Sequence, residues 1–302
     1  MFYRSTRGLA LWWIAASLAL AQTPQEPPKV LRITRQIVKP GRAAAAERIG
    51  TLAAHAMART KYPANVLALS SVSGESEVWL LESHESFASV EEADAFVEKT
   101  PALKWSLGQY DAQNGDLVSG VRRLLAVYRK DLSYHGEQLA RGLPKMRYLS
   151  VVMVLLHPAR DAEFADAIKL VTGSYEKINS DQPLVVYQVV SGAPGPAYLF
   201  FSPMVSLKTM DEAPSRGRAI RESMGEENAA TMLKTSAAVT AASESFLFTL
   251  NPRMSYVSKE FAAGDPEFWI PKPPPKSVAV PGLTAPPTVP QPGPATPPAP
   301  KP

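Results

Sequence analysis

From residue 30 the chain alternates. Leu31, Ile33 and Ile37 fall on one side of an extended segment, interrupted only by Arg35, and Arg32, Thr34 and Gln36 fall on the other. This period of two is that of a strand, and Pro40-Gly41 ends it. Over 42–60 the period becomes helical, with Ile49, Leu52, Ala53, Ala56 and Met57 on one stripe. Segments 66–72 and 77–82 read as strands joined by a turn at Gly74-Glu75-Ser76. Ser86 caps a helix over 86–99 with acidic residues in its early turns. A further helical stretch spans about 102–117, and a strand over 121–129 completes the order β-α-β-β-α-β.

The same order then returns. Val38-Lys39-Pro40-Gly41-Arg42 recurs as Leu156-His157-Pro158-Ala159-Arg160, and Val72-Ser73-Gly74 as Val190-Ser191-Gly192, both 118 residues on. Ser86 to Ala93 matches Ser206 to Ala213 at 120, and Ser133-Tyr134 matches Ser255-Tyr256 at 122. The offset grows only in loops, as a shared fold requires. In the second copy the strands are 147–156, 184–190, 197–202 and 245–250. Its first helix is 161–179, and its second helical region should break at Pro214-Ser215-Arg216-Gly217 and resume near Glu226.

This order is the split βαβ, or ferredoxin-like, arrangement. Each four-stranded sheet has helices on one side only, so its bare face needs a cover, and the other copy supplies it. The expected fold class is α+β: two tandem ferredoxin-like βαββαβ repeats packed sheet-to-sheet as a pseudo-dimeric barrel. The chain resembles the dimeric α+β barrel superfamily, with its antibiotic-biosynthesis monooxygenase-like and NIPSNAP-like domains, in element order, duplication and the V-x-P-G-R and V-S-G turns. The resemblance implies a cavity between the sheets. It also implies an oxidoreductase as one reading, since some relatives work without a cofactor and some hold haem. No catalytic signature of a named subfamily matches.

The expected organisation is a signal peptide at 1–21, repeats at 29–133 and 146–261, a linker at 134–145 and a disordered Pro-rich tail at 271–302. Arg4 and Arg7 precede the short apolar run 8–20, and Ala19-Leu20-Ala21 supplies small residues for cleavage before Gln22; an uncleaved anchor is the other reading. Proline density from Pro271 onward forbids helix and sheet. That tail is either a spacer or docking ligand in the cell envelope or a dispensable end. A periplasmic or extracellular location is expected, with no stable membrane span after cleavage.

The formal charge is +4, but Arg4, Arg7, Lys272, Lys276 and Lys301 lie in the leader and tail, which leaves the chain between near neutral. No clustered basic face suggests nucleic acid. The chain has no Cys, which excludes disulfides, thiolate metal sites and a cysteine nucleophile. No H-E-x-x-H, G-x-S-x-G, P-loop or G-x-G-x-x-G occurs, and no metal site is expected.

Two sets of site residues follow. If the apolar face of the first strand meets the helices, then Arg32, Thr34 and Gln36 point between the sheets as a ligand-binding trio with Arg32 as anchor; the matching Ser150, Val152 and Val154 make the opposite wall more apolar. A one-residue error of register inverts this. His84 and His157 are the weak catalytic candidates, placed at carboxyl ends of strands on the expectation that strands one and three of a copy run parallel. The leading reading is an exported protein binding a small ligand or partner between the repeats. The alternative is a periplasmic monooxygenase-like oxidoreductase, cofactor-free or haem-dependent; the cofactor is not specified by the sequence. A third, purely structural, would need a cavity filled with side chains.

Overall fold

The computed structural model describes residues 26–270; the expected signal peptide and Pro-rich tail lie outside the described residues. In chain order the elements are β1 (Val30–Val38), α1 (Ala43–Thr60), β2 (Asn65–Ser71), β3 (Glu77–His84), α2 (Phe87–Lys99), α3 (Pro101–Leu117), β4 (Val118–Tyr128), α4 (Gly136–Gly142), β5 (Tyr148–Leu156), α5 (Asp161–Lys177), β6 (Val185–Ser191), β7 (Ala197–Met204), α6 (Lys208–Asp211), α7 (Ala213–Met224), α8 (Glu226–Val239), β8 (Thr240–Leu250), α9 (Lys259–Ala263) and α10 (Pro266–Trp269).

The eight strands close into one barrel in the order β1-β3-β2-β8-β5-β7-β6-β4. Each copy supplies four consecutive strands, and two short seams join the halves: 69–71 against 248–250, and 125–128 against 187–191. The two repeats thus share one closed antiparallel barrel, an α+β fold with both halves in one chain.

Local chemistry accounts for the joints. Ser86 accepts from the Ser89 amide and Ser89 returns the bond, a capping box that starts α2. Pro101 starts α3 immediately afterwards, where its missing N–H costs nothing. The Lys39 amide donates to Leu117 O and the His157 amide to Val239 O, both 2.9 Å, so the repeated turn does the same work twice. The expected break in the second helical region is displaced. Pro214 falls in the first turn of α7, where proline is tolerated, and the chain breaks at Gly225, whose φ is +82°.

The faces of β1 are the reverse of the expected ones. Leu31 and Ile33 point into the barrel, into one apolar cluster with Leu67, Leu69, Trp79, Leu81, Leu124, Leu149, Val151, Phe201 and Phe248. Arg32, Thr34 and Gln36 point outward beneath the helices. The physical reason is that the barrel interior, shielded by eight strands, is the driest space in the molecule, whereas the helix layer has polar gaps and edges that can seat an arginine. The interior is built in layers, as alternation in a closed sheet dictates. Ile33 pairs with Leu81 and Leu124, and the equivalent Val151 with Phe201 and Phe246.

One end of the barrel is plugged. Leu139, Leu143 and Met146 from the connection between copies, and Phe261, Ala262, Phe268 and Trp269 from the C-terminal helices, pack against the interior cluster. Trp269 Nε1 donates to Pro144 O at 2.7 Å and ties the two together. The opposite end, where β1 and β5 finish and β4 and β8 begin, is the mouth.

Candidate functional site

Strand register places one ring of side chains at the mouth. On β1, Arg35 pairs with Trp79 of β3 and with Arg122 of β4, so all three share the inner face. On β5, Met153 pairs with Leu199 of β7 and Glu244 of β8. The two triplets occupy equivalent positions in the two copies, but one is Trp-Arg-Arg and the other Leu-Met-Glu. Duplication fixed the geometry, and divergence put two cations on one side and a single carboxylate on the other.

Arg35 is the centre of this ring. Its guanidinium carbon lies 4.7 Å from the ring centres of both Trp79 and Phe246, within cation–π range of each. Its Nη2 and Nε reach Glu77 Oε1 and Oε2 at 3.2 and 3.4 Å. Trp79 Nε1 donates to the same carboxylate at 2.6 Å. The Arg35 and Glu77 side chains are only 13% and 6% exposed, so this is a charge pair inside the barrel wall. Pairing and hydrogen bonding offset the desolvation cost of such a pair only when geometry is good.

Beside Arg35, toward the second copy, lies a cavity of about 60 Å³ lined by Arg35, Arg122, Met153, Leu155, Pro194 and residues 242–244. Glu244 approaches Arg35 Nη1 at 3.5 Å, with its side chain 60% exposed. Arg122 is exposed and has no ion-pair partner among the described residues. It stands directly across from Arg35, a like-charge juxtaposition that is unfavourable unless an anion shares it.

The residues singled out by sequence sit elsewhere. Arg32 Nη2 and Nε bond Glu82 at 2.8 and 3.1 Å, and Nη1 bonds Asp94 of α2 at 2.6 Å. Tyr62 donates to Glu82 Oε1 at 2.7 Å, and His84 Nε2 lies 2.9 Å from the same oxygen. Burial alone would raise the Glu82 carboxyl pKa, but bonds from His84, Arg32 and Tyr62 and the Arg32 charge outweigh it and hold the group below its usual range. Burial, then the Glu82 charge, pushes the Tyr62 phenol up. Gln36 and Tyr110 of α3 exchange hydrogen bonds at 2.8 and 3.0 Å, and Thr34 lies between these clusters. Arg32 and Gln36 therefore fasten helices to the sheet, and the trio faces the helix layer rather than the interior.

The histidines are not brought together. β1 and β3 run antiparallel, not parallel, because a hairpin reverses the chain between β2 and β3. His84 thus ends its strand at the plugged end, buried on Glu82, and His157 ends its strand at the mouth end, exposed. Among the described residues no group of three or more His, Asp or Glu is arranged to hold a metal ion. The space between the sheets does not fit a haem, because Trp79, Phe248, Leu199, Val151 and Ile33 fill it with no surface left exposed.

Sequence reasoning passed over Arg35, Glu77, Trp79, Arg122 and Glu244. The signal was present: Arg35 is the one charged residue on an otherwise apolar strand face.

No protein-family model matches the chain, and the comparison with curated proteins found no match. Among solved structures, the chain is similar to an anthrone oxidase-like protein (14% identity, TM-score 0.47, covering 74% of this chain and 92% of that one). It is also similar to a provisionally assigned monooxygenase of Fusobacterium nucleatum (12%, TM-score 0.47, 74% and 93%). A third is a chlorite dismutase of Candidatus Nitrospira defluvii (8%, TM-score 0.39, 75% and 92%).

Proposed function

We propose that this chain is a small-ligand binding protein whose site is the barrel mouth. The observation that carries the reading is the ring Trp79-Arg35-Arg122, a fixed charged surface set at the rim of an otherwise apolar, side-chain-filled barrel. A purely structural barrel gains little from the buried Arg35–Glu77 charge pair there, since apolar residues of similar volume would pack as well without the desolvation cost. The equivalent ring in the second copy has Leu199 and Met153 at the positions of Trp79 and Arg35, with Glu244 as its one charged member. The oxidoreductase alternative has less support: His84 is committed to Glu82 and lies at the far end, and His157 lines no part of the cavity.

Export belongs to the same proposal. Its support is the basic start, short apolar run and small-residue site within 1–21. N-terminal sequencing of the protein recovered from the host's periplasm or medium should begin at Gln22. Recovery from the cytoplasm with Met1 intact would overturn it.

The mouth reading is tested by filling the cavity. Ala242 lines it, so Ala242→Trp should block it while leaving the layers beneath intact. Both proteins are incubated with small-molecule extract, washed, denatured and analysed by mass spectrometry. A compound enriched on the parent and absent from the variant supports the reading. Identical sets from two folded proteins overturn it.

A further inference from the structure

We infer that the ligand class is an apolar monocarboxylate, and that Glu244 is an internal stand-in whose carboxylate the ligand replaces. This rests on the mouth being the binding site and names what enters it.

The sign of the charge comes first. Arg35 and Arg122 face each other across β1 and β4, so a cation is repelled and an anion is favoured. Glu77, at the mouth end of β3, answers one of the two positive charges, that of Arg35, through both carboxylate oxygens. One positive charge remains for the open side. In this structure Arg122 makes no ion pair among the described residues, and Glu244 balances the net charge of the ring from 3.5 Å off Arg35 Nη1, at the long end of the ion-pair range. Among the described residues this is the only ion pair Glu244 makes, and its side chain is 60% exposed, so swinging into water costs little.

A carboxylate therefore already sits against Arg35, weakly held. Once it leaves, the site has one uncompensated positive charge, which a monoanion neutralises and a dianion overshoots. Guanidinium groups bind carboxylates strongly through paired N–H donors, and among the described residues Arg122 has its donors uncommitted to any ion pair.

The remaining lining sets the rest of the ligand. Met153, Leu155, Pro194 and Ala242 present apolar surface beside the arginines. A cavity of about 60 Å³ holds a carboxylate and little more. The body of the ligand must lie outward across Leu155 and Pro194, and an alkyl or aryl body matches that surface.

The test uses hexanoate and benzoate as probes, with succinate, hexanol and hexylamine as controls, followed by calorimetry on the full chain. Hexanoate and benzoate should bind, and hexylamine should not. Arg122→Ala should weaken hexanoate by about tenfold or more, the loss of one charge-assisted contact. Glu244→Gln removes the competing carboxylate without changing size and should tighten hexanoate several-fold. Weaker binding in Glu244→Gln, or hexylamine and hexanol binding as well as hexanoate, overturns the inference. Failure of both carboxylates to bind at millimolar concentration overturns it too. In each case the cavity-filling comparison still decides independently whether the mouth is a site.

Discussion

Arg35 and Met153 hold the same position in the two copies, and they touch across the barrel, Arg35 Nη1 lying 3.7 Å from Met153 Sδ. One ancestral position became a buried cation in one half and a thioether in the other. The second copy thus displays how this position packs without charge, and that gives a direct way to weigh the charge.

Glu77→Ala removes the partner of a buried guanidinium and the acceptor of Trp79 Nε1 at once. It should destabilise the fold by about 3–5 kcal/mol, the cost of stranding a buried charge. Arg35→Met with Glu77→Ala copies the second half, where Met153 and Ala197 stand at these positions, and should recover much of that loss. Urea unfolding of the three proteins measures both steps. A double variant no more stable than Glu77→Ala would mean that Arg35 contributes through its aromatic contacts rather than through the pair.

The same region explains how far the sequence could be read. The duplication, the strand order and the closed barrel were legible because each rests on a pattern repeated over many residues, and an error at one residue does not change it. The orientation of β1 was not. Leu31, Ile33 and Ile37 against Arg32, Thr34 and Gln36 states that two faces differ, but both sides of this sheet are covered, one by helices and one by the other copy. Alternation alone does not say which cover is drier. Arg35 could have decided it, since a helix-packed face rarely hides an arginine with no helix residue to meet it, but its partners Glu77 and Trp79 are 42 and 44 positions away. The Arg35–Arg122 pair needs the β1–β4 register, which only the closed sheet supplies.

Acid should loosen the helix layer of the first copy through Glu82. Its pKa in the folded protein lies below the ordinary value, because bonds from His84, Arg32 and Tyr62 outweigh burial. A carboxyl with a lowered folded pKa contributes stability above its unfolded value, about 4.3, and loses it as pH falls through the folded value. The parent should therefore lose more stability than Glu82→Gln between about pH 5 and pH 2. Urea unfolding across that range gives the two curves, and parallel curves would remove Glu82 from the account.

The two hairpin glycines should differ. Gly74 and Gly192 are matched residues with φ of +78° and +94°. A side chain at Gly74 meets only solvent, whereas at Gly192 a Cβ would land on the Arg123 carbonyl oxygen of β4. Gly74→Ala should cost about 1–2 kcal/mol, the backbone preference alone. Gly192→Ala should cost clearly more, because the longer second hairpin lies against the β4 seam. Equal losses in thermal unfolding would mean that the loop relaxes freely away from that strand.

The plug should matter for stability and not for the mouth. Trp269 is 5% exposed, packs edge-on against Phe261 and Phe268, and bonds Pro144 across the end of the barrel. Trp269→Ala removes an aromatic group and leaves a cavity beside Phe261 and Phe268, a change that costs about 3–5 kcal/mol in a core. Trp269→Phe keeps most of the apolar area but loses the bond to Pro144 O, so about 1–3 kcal/mol should go. The layers at Leu31, Ile33 and Leu81 separate this end from Arg35. Any ligand the parent binds should therefore bind Trp269→Phe with unchanged affinity under conditions where both are folded. A tenfold loss would show that the plug and the mouth are coupled through the barrel interior, and the filled core would then be a conduit between the two ends.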